Sequence, residues 1–345
     1  MRRGREALLF ALAIAACGGD RLGSPDNHGS SNIAPPPNGV AQFTMLPVSI
    51  ASGKTLTALG NLNPPGHVLP TDHVYFYDWD LSVRGASQAG DDRTVYMPTT
   101  GTVVWVIKPT GTDTKVMFRV TENFYFYLDH LLPSMTFTMG QVVSVGTPLG
   151  HTGPGGTLDL GAFDMSVSHS GFVNPARYPD QTLHYVSPWK YFTPELQAQI
   201  SSHLYRVPSS ADLDGRIDFG VKGTLAGDWF LKGMPVDSSS GPYGWTRSIS
   251  FAYDYYDPSQ VRLSIGGTVS APGVWGIEPT APRPAAVTPA SGVIAYKLYS
   301  IFDVRPPYGV LLVQMIDDST IKVEVFMDSN ASATQFDGRE VTFVR

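Results

Sequence analysis

Cysteine is almost missing from this chain. Cys17 is the only one in 345 residues, so no disulfide forms within the chain. Beyond Arg2, Arg3 and Arg5 at the start there are no clusters of basic residues, and the formal net charge is −6. A mildly acidic chain without a basic stripe is a poor partner for nucleic acid. Beyond the first sixteen residues no stretch approaches 18 consecutive apolar residues, which excludes a further membrane-spanning helix from the expectations. Runs with helical periodicity are scarce. There is no Gly-x-Ser-x-Gly elbow, no phosphate-cradling glycine loop and no dinucleotide fingerprint. With the lone cysteine at the chain start, serine- and cysteine-hydrolase readings are weak.

What is abundant is glycine and proline, 35 and 28 residues, together with many aromatics. That composition suits short strands joined by turns. The start of the chain reads as an address. Arg2, Arg3 and Arg5 precede an apolar run from Ala7 to Ala16, long enough for a signal segment and too short to span a bilayer. Ile14-Ala-Ala-Cys17 is similar to a bacterial lipobox, which implies a signal peptide over 1–16 and acylation of Cys17. Removing residues 1–16 takes away three arginines and Glu6, leaving −6 − 2 = −8. Acyl chains on Cys17 would hold the protein on a membrane. Gly18 after the cysteine is compatible with the outer membrane. Residues 18–40 are rich in Gly, Ser, Pro and Asn and read as a disordered tether with a mean reach of roughly 25–30 Å.

Two β-rich domains follow. Residues 41–192 carry candidate strands at 42–46, 74–77, 94–97, 101–107, 115–120, 123–128, 141–145 and 162–167, with turn signals about every ten residues. Thr193-Pro194-Glu195 is a helix start, and 193–206 reads as a connecting helix. Residues 207–345 read as an all-β barrel or sandwich, with strands at 216–219, 227–230, 248–253, 261–265, 293–299, 310–316, 320–327 and 340–344, and a long proline-rich loop over 273–292. Gly227-Asp-Trp229 resembles the Gly-x-Trp start of lipocalin barrels, although a core tryptophan on a strand explains it more simply.

The segment 64–167 carries the chemistry. It contains Pro64-Pro-Gly-His67, Thr71-Asp72-His73, Pro98-Thr-Thr-Gly-Thr-Val-Val, Leu128-Asp-His130-Leu, Met139 to Gly153 with its spaced glycines, and Phe163-Asp164. Together these resemble the lysostaphin-type zinc endopeptidase domain, which cuts peptide cross-links of peptidoglycan. The resemblance covers about 100 residues and implies an N-terminal lysostaphin-type β-sandwich. It implies His73 as first zinc ligand and His130 as the catalytic histidine that steadies water and oxyanion. The aspartate ligand four residues beyond His73 falls on Tyr77, and the two histidines of the family's His-Leu-His strand fall on Leu160 and Ala162. Three protein ligands and an open position are needed.

Two readings stay open. Either the chemistry is lost, no cofactor binds, and the domain binds peptidoglycan or an envelope protein. Or a substitute site exists: residues 160, 162 and 164 share one face of a strand, so Asp164 joins His73 and one of His67, Asp72 or His130 around zinc, giving a metal-dependent endopeptidase. A third class places function in the C-terminal domain as a structural or partner-docking lipoprotein. His67 and Asp72 also read as turn chemistry. His151, His169, His184 and His203 read as ordinary polar residues, and Asp78, Asp80, Asp91 and Asp92 as solvated turn aspartates. The run Phe124-Tyr-Phe-Tyr127 reads as a strand with one buried face.

Overall fold

A computed structural model describes residues 33–83, 86, 90, 92–110, 113–153, 155–208, 210, 212–236, 246–301, 306–328 and 332–345. The leader, Cys17 and most of the tether lie outside the described residues, as does Asp91. Among the described residues no helix is long and apolar enough to cross a membrane.

The chain is mostly β, in two antiparallel sheets, the second nearly barrel-shaped. The first contains β1 (His73–Phe76), β2 (Thr94–Tyr96), β3 (Gly101–Thr110), β4 (Asp113–Arg119), β5 (Phe124–Pro133), β6 (Val142–Val143), β7 (Pro148–Thr152), β8 (Leu158–Asp164) and β9 (Tyr185–Val186). Its main path runs β1-β8-β5-β4-β3-β6; β7 joins β5 to β2, and β9 flanks β8.

The period of two in these strands decides what faces what. Val74, Phe76, Val116, Phe118, Phe124, Phe126, Leu128, Leu158, Leu160 and Ala162 belong to one large core with Phe43, Trp189 and Phe192. The alternate residues His73, Tyr75, Met117, Tyr125, Tyr127, Asp129, Asp159, Gly161 and Phe163 occupy the opposite face. There Met117, Tyr125, Tyr127 and Phe163 form a smaller apolar cluster with Val104. Strand β5 is buried on both faces over Phe124 to Asp129: Tyr125 and Tyr127 are 5% and 3% exposed, beside Phe124 and Phe126 at 0%. Residues 42–46 form no strand; Phe43 makes only an isolated bridge to Phe192. Strand β8 starts at Leu158, four residues before the expected start at 162.

Short α1 (Asp180–Leu183) precedes β9, and α2 (Pro194–His203) follows it. The α2 helix starts on the proline, as the sequence indicates, but the Thr193 side chain makes no capping bond. The second sheet comprises β10 (Gly227–Leu231), β11 (Ser248–Tyr253), β12 (Val261–Ile265), β13 (Gly273–Gly276), β14 (Val293–Leu298), β15 (Gly309–Asp317), β16 (Thr320–Phe326) and β17 (Val341–Val344). Its order is β13-β12-β11-β10-β17-β16-β15-β14. Gly276 and Tyr299 exchange both backbone bonds at 2.9 Å, which ties the two edges together. Trp229, Ile249, Phe251, Leu263, Tyr296, Leu311, Ile321 and Phe343 fill the interior. Residues 216–219 make no strand, whereas β13 forms inside the stretch expected to be loop. Its Val274-Trp275 pair is too short a signal to stand out among prolines.

Side chains stitch the two units together. Tyr178 Oη donates to Asp228 Oδ2 at 2.9 Å, Tyr185 Oη to Asp218 Oδ1 at 2.7 Å, and Arg177 Nη1 to the Met234 carbonyl at 2.9 Å. Asp228, on β10, also accepts from Ser250 Oγ at 2.6 Å. Burial pushes the Asp228 carboxyl up to about 6, against those hydrogen bonds and the pull of Arg345.

Candidate functional site

The polar residues of the first sheet gather at one end of its second face. In the row across β1, β8 and β5, His73 and Tyr127 are both register partners of Gly161. In the next row, Tyr75 and Asp129 are both partners of Asp159. Gly161 has no side chain, so Tyr127 and His73 lean over it and meet. A Cβ placed on Gly161 would overlap ring atoms of Tyr127, with the hydroxyl oxygen 2.6 Å away.

The network around His73 is closed. Tyr127 Oη donates to Asp72 Oδ1 at 2.8 Å and lies 3.1 Å from His73 Nδ1. Since Tyr127 has given its one proton to Asp72, His73 Nδ1–H donates to the phenol oxygen or to Asp72 Oδ1, 3.2 Å away. His73 Nε2 lies 2.9 Å from Tyr75 Oη. Thr182 Oγ1 of α1 donates to Asp72 Oδ2 at 2.8 Å, holding that carboxylate from the far side. Burial works to raise the Asp72 pKa, but His73, Lys115 and Tyr127 outweigh it and hold the group well below the usual carboxylate range. The same desolvation and the Asp72 charge keep Tyr127 firmly protonated.

His67 stacks edge-on against His73, ring centroids 5.3 Å apart, within a turn where Asn63 and His67 exchange backbone bonds. Part of its ring remains at the surface. Burial first, then the charges of His73 and His130, push its pKa down to about 3, with Asp72 pulling the other way.

Asp159 lies beneath, 1% exposed, with Oδ2 3.3 Å from His73 Nε2 and 3.5 Å from His130 Nε2. Neither carboxylate oxygen has a hydrogen-bond partner of good geometry among the described residues. Burial raises its pKa, while His130, His73 and Lys115 act to lower it. His130 donates from Nδ1 to Asp113 Oδ2 at 2.9 Å. Its backbone φ is 61°, a left-handed conformation that costs a non-glycine residue energy.

His73, His130, His67 and Asp72 therefore come together. Asp164 does not join them. It pairs with Phe124, five residues along β8 from Asp159 and so roughly 17 Å away. Its Oδ1 accepts from Ser166 N and Oγ at 2.9 and 2.6 Å. Residues 160 and 162, expected on the site face, point into the large core at 0% and 2% exposure. The parity is reversed because the core claims the Leu158-Leu160-Ala162 side of the strand. His151 pairs with Asp92 at the surface, and His169, His184 and His203 each bond to a backbone carbonyl.

Sequence reasoning missed Asp113, Lys115, Tyr75, Tyr127 and Asp159. One signal was available: Leu158-Asp159-Leu160 and Leu128-Asp129-His130 each put a carboxylate inside an otherwise apolar strand, which calls for a partner.

The residues present do not fit the zinc that the lysostaphin-type resemblance implies. Both nitrogens of His73 are already bonded, no side chain projects from 161, and Tyr127 fills that room. No set of three candidate donors that includes His73 lies within 4.8 Å among the described residues.

No family model matches the chain, and no curated protein matches it. Solved structures do. Helicobacter pylori Csd3 is 19% identical over 41% of this chain and 36% of that one, at a TM-score of 0.28. A zinc-containing peptidase from Vibrio cholerae is 18% identical over 37% of each chain, at 0.25. Lysostaphin in solution is 11% identical over 88% of this chain and 91% of its own, at 0.28. These neighbours have lysostaphin-type or M23 peptidase-like folds, matched at low TM-score, and the chain spans only about a third of the length of the first two. Because these TM-scores are below 0.5, the functional reading depends on the geometry of the site itself.

Proposed function

We propose that this protein is a lipid-anchored envelope protein whose first β-unit is a peptidase-like domain that binds peptidoglycan, or an envelope protein, without hydrolysing it. The observation that carries this reading is the Tyr127 ring over Gly161. It fills the room where a third ligand would stand and saturates His73 from one side while Tyr75 saturates it from the other. Neither nitrogen of His73 is left free to take a metal. The lipobox-like Ile14-Ala-Ala-Cys17 supports anchorage through Cys17, with the outer membrane as destination.

A surface for binding adjoins the plugged pocket. Tyr75, Tyr77 and Trp79 follow at alternate positions; Tyr75 and Tyr77 stack at 5.3 Å and 7°, and Tyr77 and Trp79 lie 4.5 Å apart. Tyr77 and Trp79 are only partly buried. A row of aromatic faces suits sugar rings or extended peptide planes.

The test is sedimentation of the chain from residue 18 onward with purified sacculi, alongside release of soluble muropeptides in the presence of zinc. Saturable co-sedimentation without release is expected. Release of fragments would restore the metal-dependent endopeptidase reading, and absence of co-sedimentation would end the peptidoglycan reading. Trp79→Ala should weaken sacculus binding by roughly five- to tenfold, about 1 kcal/mol. An unchanged binding curve would remove the aromatic row from the contact surface.

A further inference from the structure

Beside the Tyr127 plug, the ladder between β4 and β5 slips. Thr114 pairs with Leu131 and Val116 with Leu128, so Asp129 and His130 together oppose Lys115. This is a β-bulge, and bulges re-aim side chains. Here the left-handed His130 turns toward Asp113. One donor atom from each of Asp113, Asp129 and His130 lies within 4.8 Å of the others.

Two carboxylates in this pocket are under-bonded although they are buried. Among the described residues, Asp113 is 9% exposed and its Oδ1 accepts no hydrogen bond; Asp159 is 1% exposed and neither oxygen accepts one. Asp159 Oδ2 faces the bulge from β8, 3.5 Å from His130 Nε2. Buried anionic oxygens need positive charge close by. His130 stands beside both of these acids, and Lys115 supplies the charge for the third: its Nζ lies 3.1 Å from Asp129 Oδ2 and 3.8 Å from the centroid of the Tyr127 ring. The ammonium is thus wedged between Asp129 and the plug, held by charge on one side and by the ring's electron-rich face on the other.

Carboxylate oxygens and one imidazole nitrogen gathered at such separations are the donors a divalent ion collects. We propose that the bulge pocket is a cation site and that Lys115 is its resident cation, standing where a divalent metal would otherwise bind. The site lies one row across the sheet from the pocket of His73 and uses neither that residue nor Gly161. It is independent of whether the domain binds sacculi.

The proposal predicts that taking away the ammonium uncovers a metal site. Lys115→Met keeps an unbranched apolar stem, one atom shorter, and removes the charge. The purified variant should bind one equivalent of Co2+ or Zn2+ by equilibrium dialysis, at least 30-fold more tightly than the wild type. The cobalt form should show the visible absorption of a low-symmetry site. Adding Asp113→Asn should return affinity to the wild-type level, whereas adding His73→Ala should leave the gain in place. Lys115→Arg, which keeps a cation, should behave as wild type. Should Lys115→Met be unstable in chelator, zinc should raise its melting temperature and leave that of the wild type unmoved. Affinity no greater than wild type, or a gain that survives Asp113→Asn, overturns the proposal. A gain lost with His73→Ala would do the same, since it would place the ion in the other pocket.

Discussion

Gly161→Ala should destabilise the protein by roughly 2–4 kcal/mol, far more than one methyl group at an ordinary strand position. The new carbon would overlap the Tyr127 ring, which is 3% exposed and has no room to retreat. Overpacking of this kind costs about 1–3 kcal/mol. Displacing the ring also breaks the donation to Asp72, a hydrogen bond to a charged group worth about 1.5–3 kcal/mol. The two losses overlap, because relief of one is the cause of the other. Tyr127→Ala alone should cost roughly 3 kcal/mol or more by leaving a cavity. On that background, however, Gly161→Ala should cost under about 1 kcal/mol, as the overlap is gone. Urea unfolding of the four proteins measures the coupling. Equal costs of Gly161→Ala with and without Tyr127 would show that the ring does not fill this space, and the reading of a plugged pocket would fall with it.

The second large effect is one of pH at the junction of the two units. The Asp228 carboxyl is pushed up to about 6 by burial, from 3.8. Between those values the unfolded chain gives up this proton while the folded chain keeps it. The folded state therefore binds more protons, and stability falls as pH rises from about 4 to about 6. A shift of about two units corresponds to roughly 3 kcal/mol. The penalty is complete above pH 6 and absent below pH 4. Asp228→Asn cannot ionise, so the stability of the wild type relative to this variant should drop by about that amount between pH 4 and pH 7. Thermal or urea unfolding of both proteins across that range provides the measurement. A difference independent of pH would mean that Asp228 titrates normally. Because Tyr178 donates to this carboxylate from the first unit, the change should be concentrated in the docking of the units.

The β class of the chain was legible from its composition and its alternating strands, and so was the start of α2 at Pro194. His73 and His130 were recognisable because the lysostaphin-type resemblance implies a histidine at each of those places. The face they share with Asp159 was not. Strand β8 is buried on both sides, so Leu158 to Asp164 shows no polar alternation to fix its parity, and the frame was placed by matching Phe163-Asp164 to a family pattern. Asp164 then looked like a ligand although its nearest donors are the backbone and hydroxyl of Ser166. Lys115 and Asp113 were hidden for another reason. Their role depends on a one-residue slip between β4 and β5, and a bulge without glycine leaves almost no trace in a sequence.

The order β10-β17-β16 has a consequence for how the molecule is made. Residues 341–344 are the last strand in the chain, yet they lie between two strands that emerge from the ribosome earlier. Until they arrive, β10 and β16 each present an open edge, and Arg345 cannot reach the carbonyl of Ala226 or stack on Trp229. The second unit must therefore wait for residues 341–344, whereas the β3-β4-β5 meander of the first can pair as soon as it is exposed. A chain built this way leaves the edges of two strands unpaired until its last strand is in place.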